Sequence, residues 1–223
     1  MPETAQAVDR LAELADGGPV CELGIGTGRL ALPLVARGLP MSGVDSSPEM
    51  VAQLRAKPGG EAIRIAVGDF SATSAPGGPF ALTVLAFNTI FAVGDTEAQI
   101  ACFERVAADL SPGGRFVVEA FVLDPRMFHH GQALDIRTMT AEHVELQLMR
   151  YDQPTGRIDR VLLNVRGGTV DLHSVNDTYV APRELDLMAR MAGLTIESRW
   201  ANWNQSPFTA ESTRHVSVYA KPR

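Results

Sequence analysis

Apolar positions along the chain follow two different periods. In the first half, short and nearly continuous apolar runs alternate with segments whose apolar residues repeat at helical spacing. Such runs are typical of parallel strands buried on both faces, and the helical spacing is typical of helices packed against a sheet. Strands one to five are predicted at residues 20–23, 41–44, 62–67, 80–87 and 116–122. This alternation predicts a parallel sheet with helices on both faces.

Helices are predicted before and between these strands. They cover residues 5–15, 30–37, 48–57 and 96–110. Ser47 before Pro48 is a favourable helix start, and Asp95 or Thr96 is expected to cap the fourth helix. Pro33 cannot donate a backbone hydrogen bond, which predicts a kink or a late start in the second helix.

The pattern changes after strand five. Val144, Leu146 and Leu148 alternate with polar residues, a turn sequence follows at residues 153–156, and strict alternation then resumes. This period of two predicts an antiparallel insertion of three or four strands over residues 132–180.

The C-terminal segment returns to an α/β pattern. Pro182 marks the start of a last helix and Gly193 its end. Two final strands are predicted at residues 194–200 and 215–220. The closing strand is expected to be antiparallel, which completes a seven-stranded sheet.

A glycine-rich turn follows predicted strand one. Its pattern is Glu22-x-Gly24-x-Gly26-x-Gly28. Glycines let the backbone approach a ligand closely, and the helix that follows presents free N–H groups, so a cofactor is expected here. A dinucleotide fingerprint would need a third glycine where Arg29 stands. An NAD-dependent oxidoreductase is therefore an alternative that Arg29 disfavours.

Three further runs follow this turn in order. They are Val44-Asp45-Ser46-Ser47-Pro48-Glu49-Met50, Val67-Gly68-Asp69-Phe70 and Leu110-Ser111-Pro112-Gly113-Gly114-Arg115. With the glycine turn, they resemble the motifs of the class I S-adenosylmethionine-dependent methyltransferases over about residues 18–122, and the resemblance returns at residues 180–223. It implies an α/β, Rossmann-like sheet of seven strands with the last antiparallel.

The resemblance also implies S-adenosylmethionine as the cofactor. Asp45 would accept hydrogen bonds from both ribose hydroxyls, and Glu22 would place the methionine amino group, directly or through water. Asp69 and Phe70 would meet the adenine, with Met50 packed nearby. The full implied cofactor site is Glu22, Gly24, Gly26, Gly28, Asp45, Ser46, Met50, Asp69, Phe70, Phe87 and Asn88.

Further candidate site residues lie at the ends of predicted strands four and five. Phe87 and Asn88 close predicted strand four, and α/β sheets place their sites outside the carboxyl ends of the strands. His129 and His130 follow strand five and are the candidate catalytic bases, because histidine accepts protons near neutral pH. The alternatives are that both are exposed loop residues, or that alignment of a deprotonated acceptor suffices without a base.

The predicted activity is methyl transfer from S-adenosylmethionine to an oxygen or nitrogen of a small molecule. The layout of the insertion is similar to that of small-molecule methyltransferases, including amino-sugar N,N-dimethyltransferases. A secondary metabolite is accordingly one expected kind of acceptor. A regulatory protein that binds S-adenosylmethionine without turnover is the other alternative.

Length, composition and charge limit the possible domain organisation, binding partners and cellular location. The 223 residues and 45% hydrophobic content fit one α/β domain over residues 1–223. A net charge of −6 disfavours nucleic-acid binding. No apolar run predicts a membrane span and no signal peptide is evident, so a cytoplasmic protein is expected. Cys21 and Cys102 lie in apolar patterns and are expected to be reduced core thiols, and no metal site is predicted.

Overall fold

The computed structural model describes residues 2–223. Its helices are α1 (Pro2–Ala15), α2 (Ala31–Ala36), α3 (Pro48–Arg55), α4 (Thr96–Asp109) and α5 (Pro182–Met191). A large sheet contains β1 (Val20–Leu23), β2 (Met41–Asp45), β3 (Arg64–Val67), β4 (Phe80–Leu85), β5 (Leu110–Phe121), β10 (Thr195–Trp200) and β11 (Arg214–Ala220). A small sheet contains β6 (Gln132–Met139), β7 (His143–Asp152), β8 (Arg157–Arg166) and β9 (Thr169–Thr178). Within residues 2–223, no helix has the length and apolar content needed to cross a membrane.

The large sheet has the predicted α/β architecture. Its seven strands lie in the order β10-β11-β5-β4-β1-β2-β3. Strand β1 pairs in parallel with both β2 and β4, whereas β11 is antiparallel to β5 and β10. The strand order therefore reverses between β1 and β4, and the crevice at such a switch point is where open α/β sheets bind ligands.

Helices cover both faces of this sheet. One core cluster, with Leu11, Leu34 and Leu54, packs α1, α2 and α3 on one face. The other, with Phe103 and Leu185, packs α4 and α5 on the opposite face. The two cysteines are free and buried, as predicted.

Several predicted helix boundaries are confirmed. The Asp95 carboxylate caps α4 by accepting a hydrogen bond of 2.9 Å from the Ala98 N–H. The Ser47 hydroxyl accepts one of 3.2 Å from the Met50 N–H at the start of α3. Helix α2 begins late, at Ala31, so Pro33 lies in its first turn. Backbone N–H groups in the first turn have no acceptor within the helix, so the N–H that proline lacks is not needed there.

Other boundaries differ from the prediction. Strand β4 ends at Leu85 rather than residue 87, because Phe87 and Asn88 adopt left-handed backbone conformations. Strand β3 begins at Arg64 because a short 3-10 turn occupies Gly60–Ala62. Strand β5 begins at Leu110, which pairs with the start of β4, rather than at residue 116 as predicted, so the run at residues 110–115 lies inside the strand.

The predicted insertion forms the separate four-stranded antiparallel sheet β6-β7-β8-β9. Its base contacts the carboxyl ends of β4 and β5. The Tyr179 ring stacks on Phe121 with centroids 5.8 Å apart and lies 5.2 Å from the Phe91 ring. The Thr178 hydroxyl donates a hydrogen bond of 2.7 Å to the Gly94 carbonyl. The C-terminal end of the insertion therefore lies beside the edge of the large sheet where the candidate site lies.

Candidate functional site

The glycine turn after β1 uses its three glycines in different ways. Gly24, Gly26 and Gly28 have φ values of 69°, 53° and 82°, in the region that favours glycine. A Cβ atom on Gly24 would lie 2.6 Å from the Thr89 methyl, and one on Gly28 would lie 3.0 Å from Leu32. A Cβ on Gly26 would meet only the Gly24 carbonyl oxygen, 4.0 Å away. Gly26 therefore borders open space that a side chain would fill.

Asp45 connects the end of β2 to this turn. One carboxylate oxygen accepts a hydrogen bond of 2.6 Å from the Gly26 N–H, and the other accepts one of 2.9 Å from the Ser47 N–H. A carboxylate offers about four lone-pair sites, so two stay available on this largely buried side chain. Asp45 can therefore hold the turn and still accept hydrogen bonds from a ligand.

Glu22 is a buried carboxyl group with an incomplete set of partners. Its Oε2 atom is buried and has no hydrogen-bond partner among residues 2–223. Burial raises the pKa of Glu22 to about 8, while the nearby Arg29 acts in the opposite direction. Buried polar atoms are almost always hydrogen-bonded, so this oxygen points to a donor supplied by a ligand.

The segment after β4 has a strained backbone, and hydrogen bonds to β5 hold it in place. Phe87 and Asn88 have φ values of 59° and 67°, each costing a non-glycine residue about 1–2 kcal/mol. The Glu119 carboxylate accepts a hydrogen bond of 3.0 Å from the Phe87 N–H, and the Asn88 side-chain oxygen accepts one of 2.7 Å from the Phe121 N–H. Strain maintained in this way is concentrated at functional sites.

A cavity of about 340 Å³ opens beside this strained segment. Its lining residues are Glu3, Arg29, Phe87, Asn88, Glu119, Ala120, Phe121, Trp203, Thr213 and Arg214. The Trp203 indole N–H donates a hydrogen bond of 2.6 Å to Glu119. Arg214 pairs with Glu3 in the first turn of α1, and the Arg29 guanidinium lies 4.8 Å from the Phe87 ring centroid. The cavity lining thus carries two carboxylates, Glu119 and the Glu3 that pairs with Arg214, and two guanidinium groups, those of Arg29 and Arg214.

Only Phe87 and Asn88 of these ten lining residues were predicted from the sequence as site residues. The other eight include Arg29, Glu119, Trp203 and Arg214. Arg29 directly follows the glycine turn, whereas the sequences around Glu119, Trp203 and Arg214 carry no cofactor motif. The pairing of β5 with β4 and β11 brings Glu119 and Arg214 to the cavity. The one available signal was the acidic Glu119 inside an otherwise apolar strand.

The remaining predicted cofactor residues lie at the same edge of the sheet. Ser46 and Met50 are exposed at the end of β2 and the start of α3. Asp69 follows β3 and accepts a hydrogen bond of 2.8 Å from the Ser71 N–H, while Phe70 is half-buried against the core. The fold thus places all eleven residues along the edge of the sheet formed by the carboxyl ends of β1, β2, β3 and β4.

The two candidate histidines lie elsewhere. His129 and His130 are exposed, with ring centroids 4.2 Å apart. Neither lines the cavity beside Glu119; His129 borders an open groove on the small sheet, near Leu134 and Leu148. A catalytic role for either histidine stays a prediction.

Comparisons with known proteins decide the family. A family model described as "Methyltransferase domain" matches residues 20–114. The CcbJ methyltransferase from Streptomyces caelestis is 32% identical with a TM-score of 0.92, and the alignment covers 100% of this chain and 91% of that protein. The chain belongs to the S-adenosylmethionine-dependent methyltransferases.

Two further relatives are similar to this methyltransferase. The cypemycin N-terminal methyltransferase of a Streptomyces species is 27% identical over 207 residues, which are 91% of this chain and 83% of the relative. CalS10, an amino pentose methyltransferase from Micromonospora echinaspora solved with S-adenosylmethionine, is 21% identical with a TM-score of 0.70. That alignment covers 99% of this chain and 90% of CalS10. The oxidoreductase alternative gains no support.

The residues present fit S-adenosylmethionine, the cofactor of this family. Gly26 leaves open space for a ligand, Asp45 retains free lone pairs for hydroxyl groups, and the orphaned Glu22 oxygen suits an amino group. The Glu22 oxygen has no partner within residues 2–223, and all three features match groups that S-adenosylmethionine carries.

Binding of S-adenosylmethionine should strengthen as pH rises from about 6 to about 8, the pKa of Glu22. Below that pKa the buried carboxyl is neutral, whereas a nearby ammonium group favours the carboxylate, so binding releases a proton. Calorimetry in buffers of different ionisation enthalpy measures this proton. The Glu22→Gln variant should lose the pH dependence; if it keeps it, another group is responsible.

Proposed function

We propose that this methyltransferase transfers a methyl group to a nitrogen atom of a small-molecule amine. Two relatives have names that specify nitrogen-bearing acceptors, a peptide N-terminus and an amino pentose. The observation that carries the proposal is the Glu119 carboxylate on the wall of the cavity. An amine is the acceptor group that such a carboxylate attracts.

We infer the following roles for the cofactor residues. Asp45 receives the ribose hydroxyls, Glu22 receives the methionine amino group, and Gly26 leaves the space in which the cofactor lies. Ser46 and Met50 on one side, and Asp69 and Phe70 on the other, border the adenine. Phe87 and Asn88 stand between the cofactor and the acceptor cavity.

Glu119 is suited to hold the acceptor nitrogen. Each of its oxygens already accepts one hydrogen bond, from the Phe87 N–H and from the Trp203 indole. These bonds fix the carboxylate plane, and the unused lone pairs remain for a ligand N–H. A fixed carboxylate binds an amine with charge-assisted hydrogen bonds, which are stronger than neutral ones.

Catalysis then depends mainly on alignment. When bound, S-adenosylmethionine supplies a sulfonium methyl group that is already activated for attack by a nucleophile. The protein's task is to hold the unprotonated acceptor nitrogen with its lone pair in line with that group, and alignment of this kind contributes about 7–11 kcal/mol. The methylated nitrogen then loses its proton to water. The strained Phe87–Asn88 segment, fixed from β5, gives the cavity the rigidity that alignment requires.

Paired acceptors test the proposal. A panel of amines, each with its hydroxyl analogue, is incubated with S-adenosylmethionine, and S-adenosylhomocysteine and methylated product are measured. We expect product from amines only, and Glu119→Gln should raise the acceptor KM by about tenfold or more through loss of the charge. Trp203→Phe is the matched control, because it removes one hydrogen-bond partner and keeps the carboxylate. Preference for hydroxyl acceptors contradicts the proposal, and cofactor binding without turnover of any acceptor favours the regulatory alternative.

The histidines supply a separate prediction. A general base typically contributes about 10²–10⁴-fold to the rate, so kcat of His129→Asn or His130→Asn would fall by about that factor if the imidazole took the acceptor proton. Since neither ring lines the cavity, we expect each variant to stay within about tenfold of the wild type. The measurement is kcat against pH at saturating cofactor. A larger loss with a shifted acidic limb would establish the base.

A further inference from the structure

The cavity beside Glu119 carries charges of both signs. Two carboxylates and two guanidinium groups line it, those of Glu3, Glu119, Arg29 and Arg214. The proposed function uses only Glu119, which would hold the acceptor nitrogen. The two arginines add positive charge to the same cavity, and a guanidinium is a strong partner for a carboxylate of a ligand.

Arg29 lies on the cofactor side of this cavity. It directly follows the glycine turn, and its guanidinium lies 4.8 Å from the Phe87 ring centroid. Burial raises the pKa of Glu22, and the positive charge of Arg29 opposes that rise. Arg29 therefore acts beside the place assigned to S-adenosylmethionine, which leaves Arg214 as the cation for an acceptor.

Strand pairing places Arg214 and Glu119 on one face of the large sheet. Arg214 at the start of β11 pairs with Phe121, which lies two residues after Glu119 in β5. Residues two apart along a strand point to the same face, and such diagonal neighbours across two strands lie about 7–8 Å apart. The Val122 N–H donates a hydrogen bond of 2.8 Å to the Thr213 carbonyl and fixes the backbone beside Arg214. The cavity thus presents a carboxylate and a guanidinium as neighbours on a paired set of strands.

A carboxylate of the chain itself already pairs with Arg214. The two oxygens of Glu3 accept hydrogen bonds of 3.0 Å and 2.5 Å from the two terminal nitrogens of the Arg214 guanidinium. Two-point pairing of this kind is the frequent geometry between arginine and a carboxylate. Glu3 lies in the first turn of α1 and its side chain is 59% exposed, so water screens this pair and its contribution to stability is small. Glu3 therefore marks the position that a ligand carboxylate would take, and holds it weakly.

We propose that the amine acceptor also carries a carboxylate, which displaces Glu3 and pairs with Arg214 while Glu119 holds the amino nitrogen. This inference rests on the proposed function, because it names the class of amine that the same cavity takes. The acceptor is then an amino acid, or a small molecule with an amino-acid end. An amine without the carboxylate leaves Arg214 paired with Glu3 and gains nothing from it.

Paired probes measure the role of the carboxylate. The common α-amino acids, β-alanine and γ-aminobutyrate are each assayed beside the matching primary carboxamide, and kcat/KM is obtained from the formation of S-adenosylhomocysteine. The carboxamide keeps the amine and loses the negative charge. We expect the wild type to prefer the best acid over its amide by about tenfold or more, the effect of losing hydrogen bonds between charged groups.

Three variants at the ion pair should change this preference in different directions. Arg214→Gln should lower kcat/KM for the acid by about 10- to 100-fold and leave that for the amide within about threefold. Arg214→Lys keeps the charge and loses the two-point geometry, so its acid-to-amide ratio should lie between those of the wild type and Arg214→Gln. Glu3→Gln removes the competing carboxylate and should raise kcat/KM for the acid by about two- to fivefold, with the amide unchanged. An ion pair that only attaches α1 would change both probes alike.

A second ion pair of α1 supplies matched controls. Asp9 pairs with Arg37, and their side chains are 59% and 41% exposed, against 59% and 42% for Glu3 and Arg214. Neither Asp9 nor Arg37 lines the cavity. Asp9→Asn and Arg37→Gln should therefore leave the acid-to-amide ratio unchanged. Thermal unfolding and S-adenosylmethionine binding show that each variant is folded.

The outcomes separate this inference from the proposed function. If amides are methylated as well as acids, or if Arg214→Gln lowers kcat/KM equally for both, the acceptor carboxylate is ruled out and methylation of amines stands. A preference for acids that survives in Arg214→Gln also overturns the inference, because another residue then binds the carboxylate. If no amine is methylated in either form, the proposed function fails and this inference fails with it.

Discussion

Gly26→Val will bind S-adenosylmethionine at least about 100-fold more weakly than the wild type. A valine side chain would project into the open space that Gly26 borders, where we place the cofactor. It would also force a β-branched residue into a backbone with φ of 53°. Isothermal titration calorimetry measures the loss directly.

The control for backbone strain is Gly38→Val. Gly38 has φ of 82° and open space around its missing Cβ, but it follows α2, away from the glycine turn. This variant should lose stability and keep its affinity for S-adenosylmethionine. If both variants bind equally well, the turn at Gly26 is not the cofactor site.

Asp45→Ala will also lose most of its affinity for the cofactor. Each hydrogen bond to a charged group contributes about 1.5–3 kcal/mol, so loss of two ribose bonds weakens binding by about 100-fold or more. The variant also releases the Gly26 N–H, which Asp45 holds at 2.6 Å, and so loosens the turn. Calorimetry gives the affinity and thermal unfolding gives the accompanying loss of stability.

Asp45→Asn separates these two effects. The amide keeps the size of the side chain and one acceptor oxygen, so it can still hold part of the turn while losing the charge. We expect an affinity between those of the wild type and Asp45→Ala. Unchanged affinity in a folded Asp45→Ala variant would remove Asp45 from the cofactor site.

Local motifs explain why the cofactor half of the candidate site could be proposed from the sequence. The glycine turn and Asp45 each lie at the end of a short apolar run, and a parallel sheet brings the ends of β1 and β2 together. Their chemistry and their position are both encoded within a few residues. The distance between Gly26 and Asp45 then follows from the fold.

The proposed acceptor half of the site depends on contacts that no local pattern contains. Glu119 reaches Phe87 and Trp203 only because β5 pairs with β4 and the segment after β10 folds back onto it. Phe87 and Asn88 adopt left-handed conformations although neither is glycine, so the sequence does not indicate these conformations. Tertiary hydrogen bonds impose these conformations, so they become visible only in the folded chain.

The insertion shows a further limit of sequence patterns. Alternation of Val144, Leu146 and Leu148 with polar residues correctly predicted antiparallel strands. It could not tell where the small sheet attaches to the rest of the fold. The packing of Tyr179 on Phe121 places that attachment beside β5.

A crystal structure of the protein with S-adenosylmethionine tests the central claim most directly. The account predicts the ribose hydroxyls on Asp45, the methionine amino group beside Glu22, and the sulfonium methyl facing the cavity between Asn88 and Glu119. A cofactor bound elsewhere, or bound in the glycine turn with its methyl group turned away from that cavity, would contradict it.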